Sequence, residues 1–292
     1  MYHKSIGYRW FNAINHVFLV IVSLICILPL VHILAVSFSS ASAATANIVN
    51  LWPVDFTLEA YAKTINNSAF IRALLVSLLR TVLGTGIGMA VIILSGYALS
   101  KSYAEFKSRN WYMWIFVFTM LFSGGLVPSY ILITNLHLAN TIWALVLPSA
   151  FSAFNMILLM NFFRTIPAEL EEAALIDGAG IFRILFSIHL PVSLPSVATI
   201  TLFTLVGHWN SWFDGLIYMM NPQNYPLATF LQTVVVQQDF SKMSLNPKDM
   251  ENLSQRTVKA AQIFIGALPI LMVYPFLQKY FVKGIVVGAV KE

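Results

Sequence analysis

The stretch "GHWNSWFDG" (207–215) sets two tryptophans among hydrogen-bonding groups inside an otherwise apolar run. Trp209 and Trp212 offer flat faces of the kind that sugar rings stack on, and His208, Asn210 and Asp214 offer hydrogen bonds. On a helix, spacings of three and four residues put His208, Ser211 and Trp212 on one side. Asn210, Phe213 and Asp214 share another, so the whole stretch cannot face one path. The alternative for the tryptophans is interfacial anchoring or helix packing. Asp214 is harder to place, because an unpaired acid in lipid is expensive. Arg80 raises the same problem about ten residues into a second apolar run. A charge at that depth costs ~2.5–3.5 kcal/mol on insertion scales, so it must face protein or water. It is either a path-lining cation near a sugar or sugar acid, or one half of a structural pair with a carbonyl or an acid. Asp214 is one acid it could pair with.

The elements that must hold these residues are membrane spans. The 292-residue chain is 58% hydrophobic and 10% charged, with mean hydropathy +0.76. Soluble domains carry about 25% charged residues, and one with this composition would expose far too much apolar surface. About 20 apolar residues cross the hydrocarbon core. Six segments qualify: 15–38, 71–99, 111–134, 142–163, 195–220 and 261–281. The second and fifth are long enough to tilt or to extend past the bilayer. Strand-type alternation is absent. The expectation is an all-α, polytopic protein with six transmembrane helices, residues 1–292 forming a single transmembrane domain. Segments 39–70 and 221–260 are ordered external structure in this reading.

Orientation follows from Lys and Arg. With a cytoplasmic N-terminus, the inside segments hold Lys4, Arg9, Lys101, Lys107, Arg109, Arg164, Arg183, Lys279, Lys283 and Lys291. The outside segments hold Lys63, Arg72, Lys242, Lys248, Arg256 and Lys259. The excess favours both termini in the cytoplasm. Basic residues gather at span ends rather than in one patch, which argues against nucleic acid despite a pI near 9.3. The first apolar run is too long for a signal peptide and lacks a small-residue cleavage site, so it reads as a retained span. The single cysteine, Cys26, cannot form an intrachain disulfide.

Small and polar residues inside the spans carry further expectations. Gly84 and Gly88 form a small-x-x-x-small face for close helix packing. Gly124, Gly125 and Pro128 interrupt the third span, as in broken helices that line transport cavities. His16, His32 and His189 show no metal-ligand spacing, and packing is the default for them. A G-x-x-x-x-G-K-[ST] phosphate loop is missing; "GTGIGMAV" (84–91) has glycines but no following Lys-Ser/Thr.

Between the fourth and fifth spans, "RTIPAELEEAALIDGAGIFRILFSIHLP" (164–191) is conspicuously acidic. Pro167 suits a first helical turn, and Glu169, Glu171 and Glu172 suit the positive end of the helix dipole. Ala173, Ala174 and Leu175 favour helix, and the Gly178–Gly180 region can end it. A short amphipathic helix, a turn and a second helix starting near Ile181 are predicted, on the cytoplasmic side. An ordinary capped loop would need less. The string Glu172-Ala173-Ala174, three residues, Gly178, nine residues, Ile188, one residue, Leu190-Pro191 resembles the cytoplasmic signature of importer-type ABC permeases at every fixed position.

"LWPVDFTLEAY", "HWNSWFDGLIYM", "YPLATFLQ" and "KGIVVGAVKE" extend the resemblance to the carbohydrate-uptake branch, and to its smaller six-span subunit for complex oligosaccharides. That resemblance implies a type I importer permease fold in the bacterial cytoplasmic membrane. It makes the acidic helix the coupling helix, with Glu171, Glu172, Ala173, Ala174, Asp177, Gly178, Leu190 and Pro191 at the ATPase contact and the C-terminal tail approaching it. It implies a second homologous permease subunit, two ATPase subunits, an extracytoplasmic solute-binding protein and membrane lipid as partners. No cofactor belongs to this chain; ATP and Mg2+ belong to the ATPase. Arg80, His208, Trp209, Asn210, Trp212 and Asp214 are the candidates for the substrate path. The implied activity is import of a sugar or oligosaccharide, neutral or acidic, by alternating access. A permease for a non-sugar solute and an ATP-independent secondary transporter are the alternatives. A membrane enzyme is disfavoured, because the spans hold no carboxylate cluster, metal-ligand spacing or activated nucleophile.

Overall fold

The computed structural model describes residues 6–241 and 249–289. Lys4, Lys242, Lys248 and the tail positions Val290, Lys291 and Glu292 lie outside them. Among the described residues every regular element is a helix, and no strand is present. In chain order the helices are α1 (Ile6–Ser37), α2 (Ala41–Thr45), α3 (Glu59–Ile65), α4 (Ser68–Ser100), α5 (Arg109–Leu121), α6 (Leu126–Asn135), α7 (Ile142–Val146) and α8 (Ala153–Phe163). They continue with α9 (Ala168–Ile176), α10 (Ile181–Ile184), a π-helical turn over Leu185–His189, α11 (Leu190–Val192), α12 (Leu194–Asn210), α13 (Phe213–Tyr218), α14 (Leu227–Ser241) and α15 (Asp249–Ala289).

Three helical stretches cross a membrane unbroken: Gly7–Ser37, Ser68–Ser100 and Gln255–Phe276. Three more spans are helix pairs with a break. Arg109–Leu121 and Leu126–Asn135 bend by 114°, Ile142–Ser149 and Ala153–Phe163 by 48°, and Ile181–Val192 and Leu194–Asn210 by 86°. Counting each pair once gives the six spans that the apolar runs announce. The third span breaks where Gly124, Gly125 and Pro128 stand, and Gly125 adopts φ +89°, a conformation open to glycine at little cost. The fourth bends where Pro148 ends α7 and the Ser152 hydroxyl side chain accepts the Asn155 N–H to start α8. The fifth differs from the continuous run 195–220: helix stops at Asn210 and resumes at Phe213.

The chain divides into two compact units, Met1–Ile71 with Thr233–Leu268 and Arg72–Gln232 with Pro269–Glu292. In the first, Ala35 and Val36 at the end of α1 pack on Ala43, Ala44, Val49 and Ala260. The Arg256 guanidinium donates to the Ala44 carbonyl at 2.8 Å and pairs with the Asn47 side chain, closing the end of α2. None of the apolar window of α1 is buried within the protein. Its stability must come from lipid or from another chain.

In the second unit α4 is the central post. Its core cluster joins Met89, Ile92, Tyr97 and Leu99 to Met156, Leu159, Met160 and Phe163 of α8, and to Ile184, Leu185 and Ile200. Glycine sets the approach distances. A Cβ on Gly84 would lie 2.5 Å from the His208 ring, and one on Gly88 would lie 2.5 Å from the Ala150 carbonyl oxygen. The small-residue face read from the sequence is therefore a packing face. Because the obstacle at Gly88 is backbone, Gly88→Ala should destabilise by ~1–3 kcal/mol, the usual cost of overpacking. Gly86 has open space around it, and Gly86→Ala should leave the thermal unfolding midpoint of the purified protein unchanged or raised.

Candidate functional site

Two constructions carry the polar residues of the second unit. The first is the break between α12 and α13. Arg80 of α4 is completely buried. Its Nη1 donates to the Ser211 carbonyl at 2.9 Å and to Asp214 Oδ1 at 3.2 Å, and its Nη2 closes an ion pair with Asp214 Oδ2. Asp214 Oδ1 also accepts from the Ser211 hydroxyl and the Gly215 N–H, both at 2.9 Å. The fork-shaped guanidinium meets the carboxylate through two nitrogens, the strongest form of this contact. The Thr229 hydroxyl takes the Trp212 carbonyl at 2.7 Å. The Ser211 carbonyl freed by the broken helix is thus satisfied by Arg80, as backbone at membrane depth requires, while the Trp212 carbonyl also accepts the Leu216 N–H. Gly215 lets the following segment cross, since a Cβ there would lie 2.2 Å from Thr229 Oγ1.

Beside the break lies a recess of about 280 Å³, lined by Arg80, Ser149, Ser152, Asn155, Phe203, Thr204, His208 and Ser211, among others. It brings Arg80 and His208 together, two of the residues singled out from the sequence. Trp209 is buried elsewhere in the packing, Asn210 is exposed, and Trp212 is partly exposed with its ring edge-on to Phe213 at 5.5 Å. The sequence reading missed Ser149, Ser152, Asn155 and Thr204. Their signal was present in "LPSAFSAFN", where proline and serines interrupt an apolar run.

The second construction is the acidic loop. Pro167 precedes α9 as its N-cap, one position outside the first turn, and Glu169 and Glu171 occupy that turn. At the other end Gly178 has φ +76°. Its N–H donates to Leu175 O at 3.0 Å and the Ala179 N–H donates to Ala174 O at 2.9 Å. This two-bond closure is a Schellman turn, with Asp177 as C-cap and glycine at the left-handed position. Glu171, rather than Glu172, faces inward. It forms an ion pair with Lys101 just past α4, and its Oε2 lies 3.3 Å from His189 Nε2. The Lys101 ammonium also sits 4.3 Å over the Tyr97 ring.

Burial works against charge on Lys101, but Glu171 and Tyr97 outweigh it and hold its pKa above the ordinary lysine value. His189, assigned to packing from the sequence, does pack edge-on against Tyr97 and Phe163, and it supplies this polar contact as well. Arg164 donates to Leu99 O at 3.0 Å and Arg109 to Lys101 O at 2.8 Å, so cations close the C-terminal end of α4. Outward, Glu172 and Ala173 are exposed, and so are Leu175, Ile176, Ile181, Phe182 and Phe186, with Ile176 at 87%. Ile188 and Leu190 of the same signature pack inward on the core cluster, while Pro191 opens the short α11. The loop is a turn of apolar side chains held from behind by an ion pair. Among the described residues no group of histidines, cysteines and acids could hold a metal ion.

Residues 96–287 match the family described as binding-protein-dependent transport system inner membrane component. Over 288 residues the chain is 39% identical to the polygalacturonan/rhamnogalacturonan transport system permease protein YtcP of Bacillus subtilis (strain 168), covering 97% of this chain and 99% of that one. It is 39% identical over 291 residues to protein LplC of the same organism, covering 99% and 97%. In three dimensions it is similar to a chain in the crystal structure of a bacterial ABC transporter involved in the import of the acidic polysaccharide alginate. The TM-score is 0.85 at 31% identity, covering 96% of this chain and 100% of that one.

The buried pair generates a stability prediction. Asp214→Ala strands the Arg80 guanidinium, and the expected loss is ~3–5 kcal/mol. Exchanging both partners for apolar residues of similar size, Arg80→Met with Asp214→Leu, should recover much of it, read as the midpoint of thermal unfolding in detergent.

Proposed function

The chain belongs to the family of binding-protein-dependent transport system inner membrane components, and we propose that it is the permease subunit of an ATP-driven importer of oligosaccharides that contain acidic sugars. The observation that carries the reading is the α9–Gly178–α10 turn. It is rigidly closed, anchored by Glu171 to Lys101, and presents Leu175, Ile176 and Phe182 outward. An exposed apolar cluster on a braced polar loop is the form of a docking surface. The occupant in this reading is a separate ATPase subunit, which holds ATP and Mg2+. The glycines of 84–91 support that division of labour, since Gly84 and Gly88 are spent on helix packing.

The relatives carry the substrate class. The first is a permease for polygalacturonan and rhamnogalacturonan, and the structural neighbour serves import of alginate, an acidic polysaccharide. The chain works with a second permease subunit, two ATPase subunits and an extracytoplasmic solute-binding protein. Both of its termini and the docking turn lie in the cytoplasm of the bacterial inner membrane. Closure of the ATPase pair on ATP pushes the docking turns, the permease pair opens outward to the loaded binding protein, and hydrolysis resets the path. The broken spans suit such motion, because their breaks confine it to a few residues.

Two measurements test this. In proteoliposomes, binding protein loaded with oligogalacturonides should stimulate ATP hydrolysis by the complex, and neutral sugars, amino acids and ions should not; stimulation by an amino acid or ion alone would overturn the carbohydrate reading. Gly178→Val places a branched side chain at a left-handed backbone position, whereas Gly178→Asn tolerates it. The valine variant should reach the membrane yet lose uptake and co-purification of the ATPase, and the asparagine variant should retain both. Normal uptake by the valine variant would remove the docking role.

A further inference from the structure

The recess beside the α12–α13 break contains a buried side chain that the packing leaves unsatisfied. His208 is 4% exposed, and its ring lies against the Gly84 backbone, which can engage one ring nitrogen and leaves the other without a hydrogen-bond partner. The ring is fixed in place, because its flat side lies where any side chain on Gly84 would be. An imidazole brings a donor and an acceptor when neutral, and leaving one idle in a buried position is costly. Protein interiors avoid this unless something else enters.

Polar groups from three elements converge on the same space. Ser149 and Ser152 stand at the bend between α7 and α8, Asn155 in the first turn of α8, and Thr204 with His208 on α12. Phe203 adds an apolar wall. Arg80 also borders the recess, but its charge is compensated by Asp214. The polar groups of the lining are therefore hydroxyls, one amide and one imidazole beside a paired guanidinium, set in apolar walls that include Ile92 and Ala150. Such a set suits the hydroxyl groups of a sugar ring better than a free anion or an apolar ligand. At about 280 Å³, the space lies just under the ~300–1,000 Å³ of sites that enclose drug-sized ligands. One ring fits; an oligomer does not. The recess also borders two helix interruptions, at 149–152 and at 211–212, where transport proteins place their ligands.

We infer that this recess is a subsite for one sugar ring of the transported oligosaccharide, with His208 as a positioning residue that hydrogen-bonds its hydroxyls. The subsite rests on the importer reading above. It reads ring hydroxyls rather than the carboxylate, so it accepts neutral and acidic rings alike and leaves charge selection to other parts of the path.

The test uses the complete importer in proteoliposomes with its binding protein and trigalacturonate as the probe, read as sugar molecules imported per ATP hydrolysed. His208→Phe keeps the ring and removes its hydrogen bonds; the ratio should fall about three- to ten-fold, the worth of one such bond. His208→Gln restores a donor and an acceptor and should recover most of it. Thr204→Val, nearly isosteric, should lower the ratio in the same way, since the Thr204 hydroxyl is held only by Ile200 O of its own helix and a long 3.4 Å contact from the Asn155 amide. A purely structural role would reduce membrane abundance and leave the ratio of the surviving complexes intact. An unchanged ratio in both His208→Phe and Thr204→Val, with an active parent, means a water-filled packing defect and overturns the subsite alone. A parent complex that imports no oligosaccharide overturns the importer reading, and the sugar subsite with it.

Discussion

The construction of the transport unit depends on one buried ion pair. Arg80 has no access to solvent, and in a membrane a lone guanidinium at that depth is among the most expensive side chains to place. Asp214 removes the net charge, and the same guanidinium caps the Ser211 carbonyl. The pair therefore does more than cancel a cost. It makes a gap in a transmembrane helix tolerable, because the carbonyl that lost its helical partner gains a charged donor. Buried pairs add little net stability compared with apolar packing, and their best-attested use is to specify one arrangement among several. Here the arrangement specified is a break, and the recess exists because the helix stops there.

At the C-terminal end of α4 the same logic is applied to a surface. Arg109 and Arg164 occupy its terminal carbonyls, Lys101 follows, and Glu171 reaches back from α9 to meet it. α4 thus meets the helix break through Arg80, within its length, and the α9 turn through Lys101, just past its C-terminus. Displacement of α9 must pull on Lys101 or break its pair with Glu171.

Much of this was legible in the sequence, and the exceptions have a common cause. The spans could be read because length and composition are local properties, and the break at Gly124–Gly125 because glycine announces a backbone conformation. The Gly178 turn was legible for the same reason, its φ of +76° being one that other residues enter only with strain. The break at Ser211 was not. Nothing in "WNSWF" disfavours helix strongly; what stops it is a guanidinium 131 residues earlier in the chain. The inward turn of Glu171 in place of its neighbour Glu172 likewise depends on Lys101, 70 residues away. His189 looked like a packing residue because its polar partner lies across a turn, 18 positions back.

Where an interaction is long-range, residue type still constrains it even though spacing does not. An arginine and an aspartate at membrane depth each demand a partner, and with so few charges in the spans the choices were few. Ser149, Ser152, Asn155 and Thr204 gave no such demand, because each finds a partner close by: the Thr204 hydroxyl returns to the Ile200 carbonyl and the Asn155 amide reaches the Thr204 hydroxyl. A hydroxyl that can turn either inward to its backbone or outward to a ligand costs nothing while the recess is empty. His208 differs, because its own helix offers the ring no such partner and the Gly84 backbone against which it lies can engage one ring nitrogen at most.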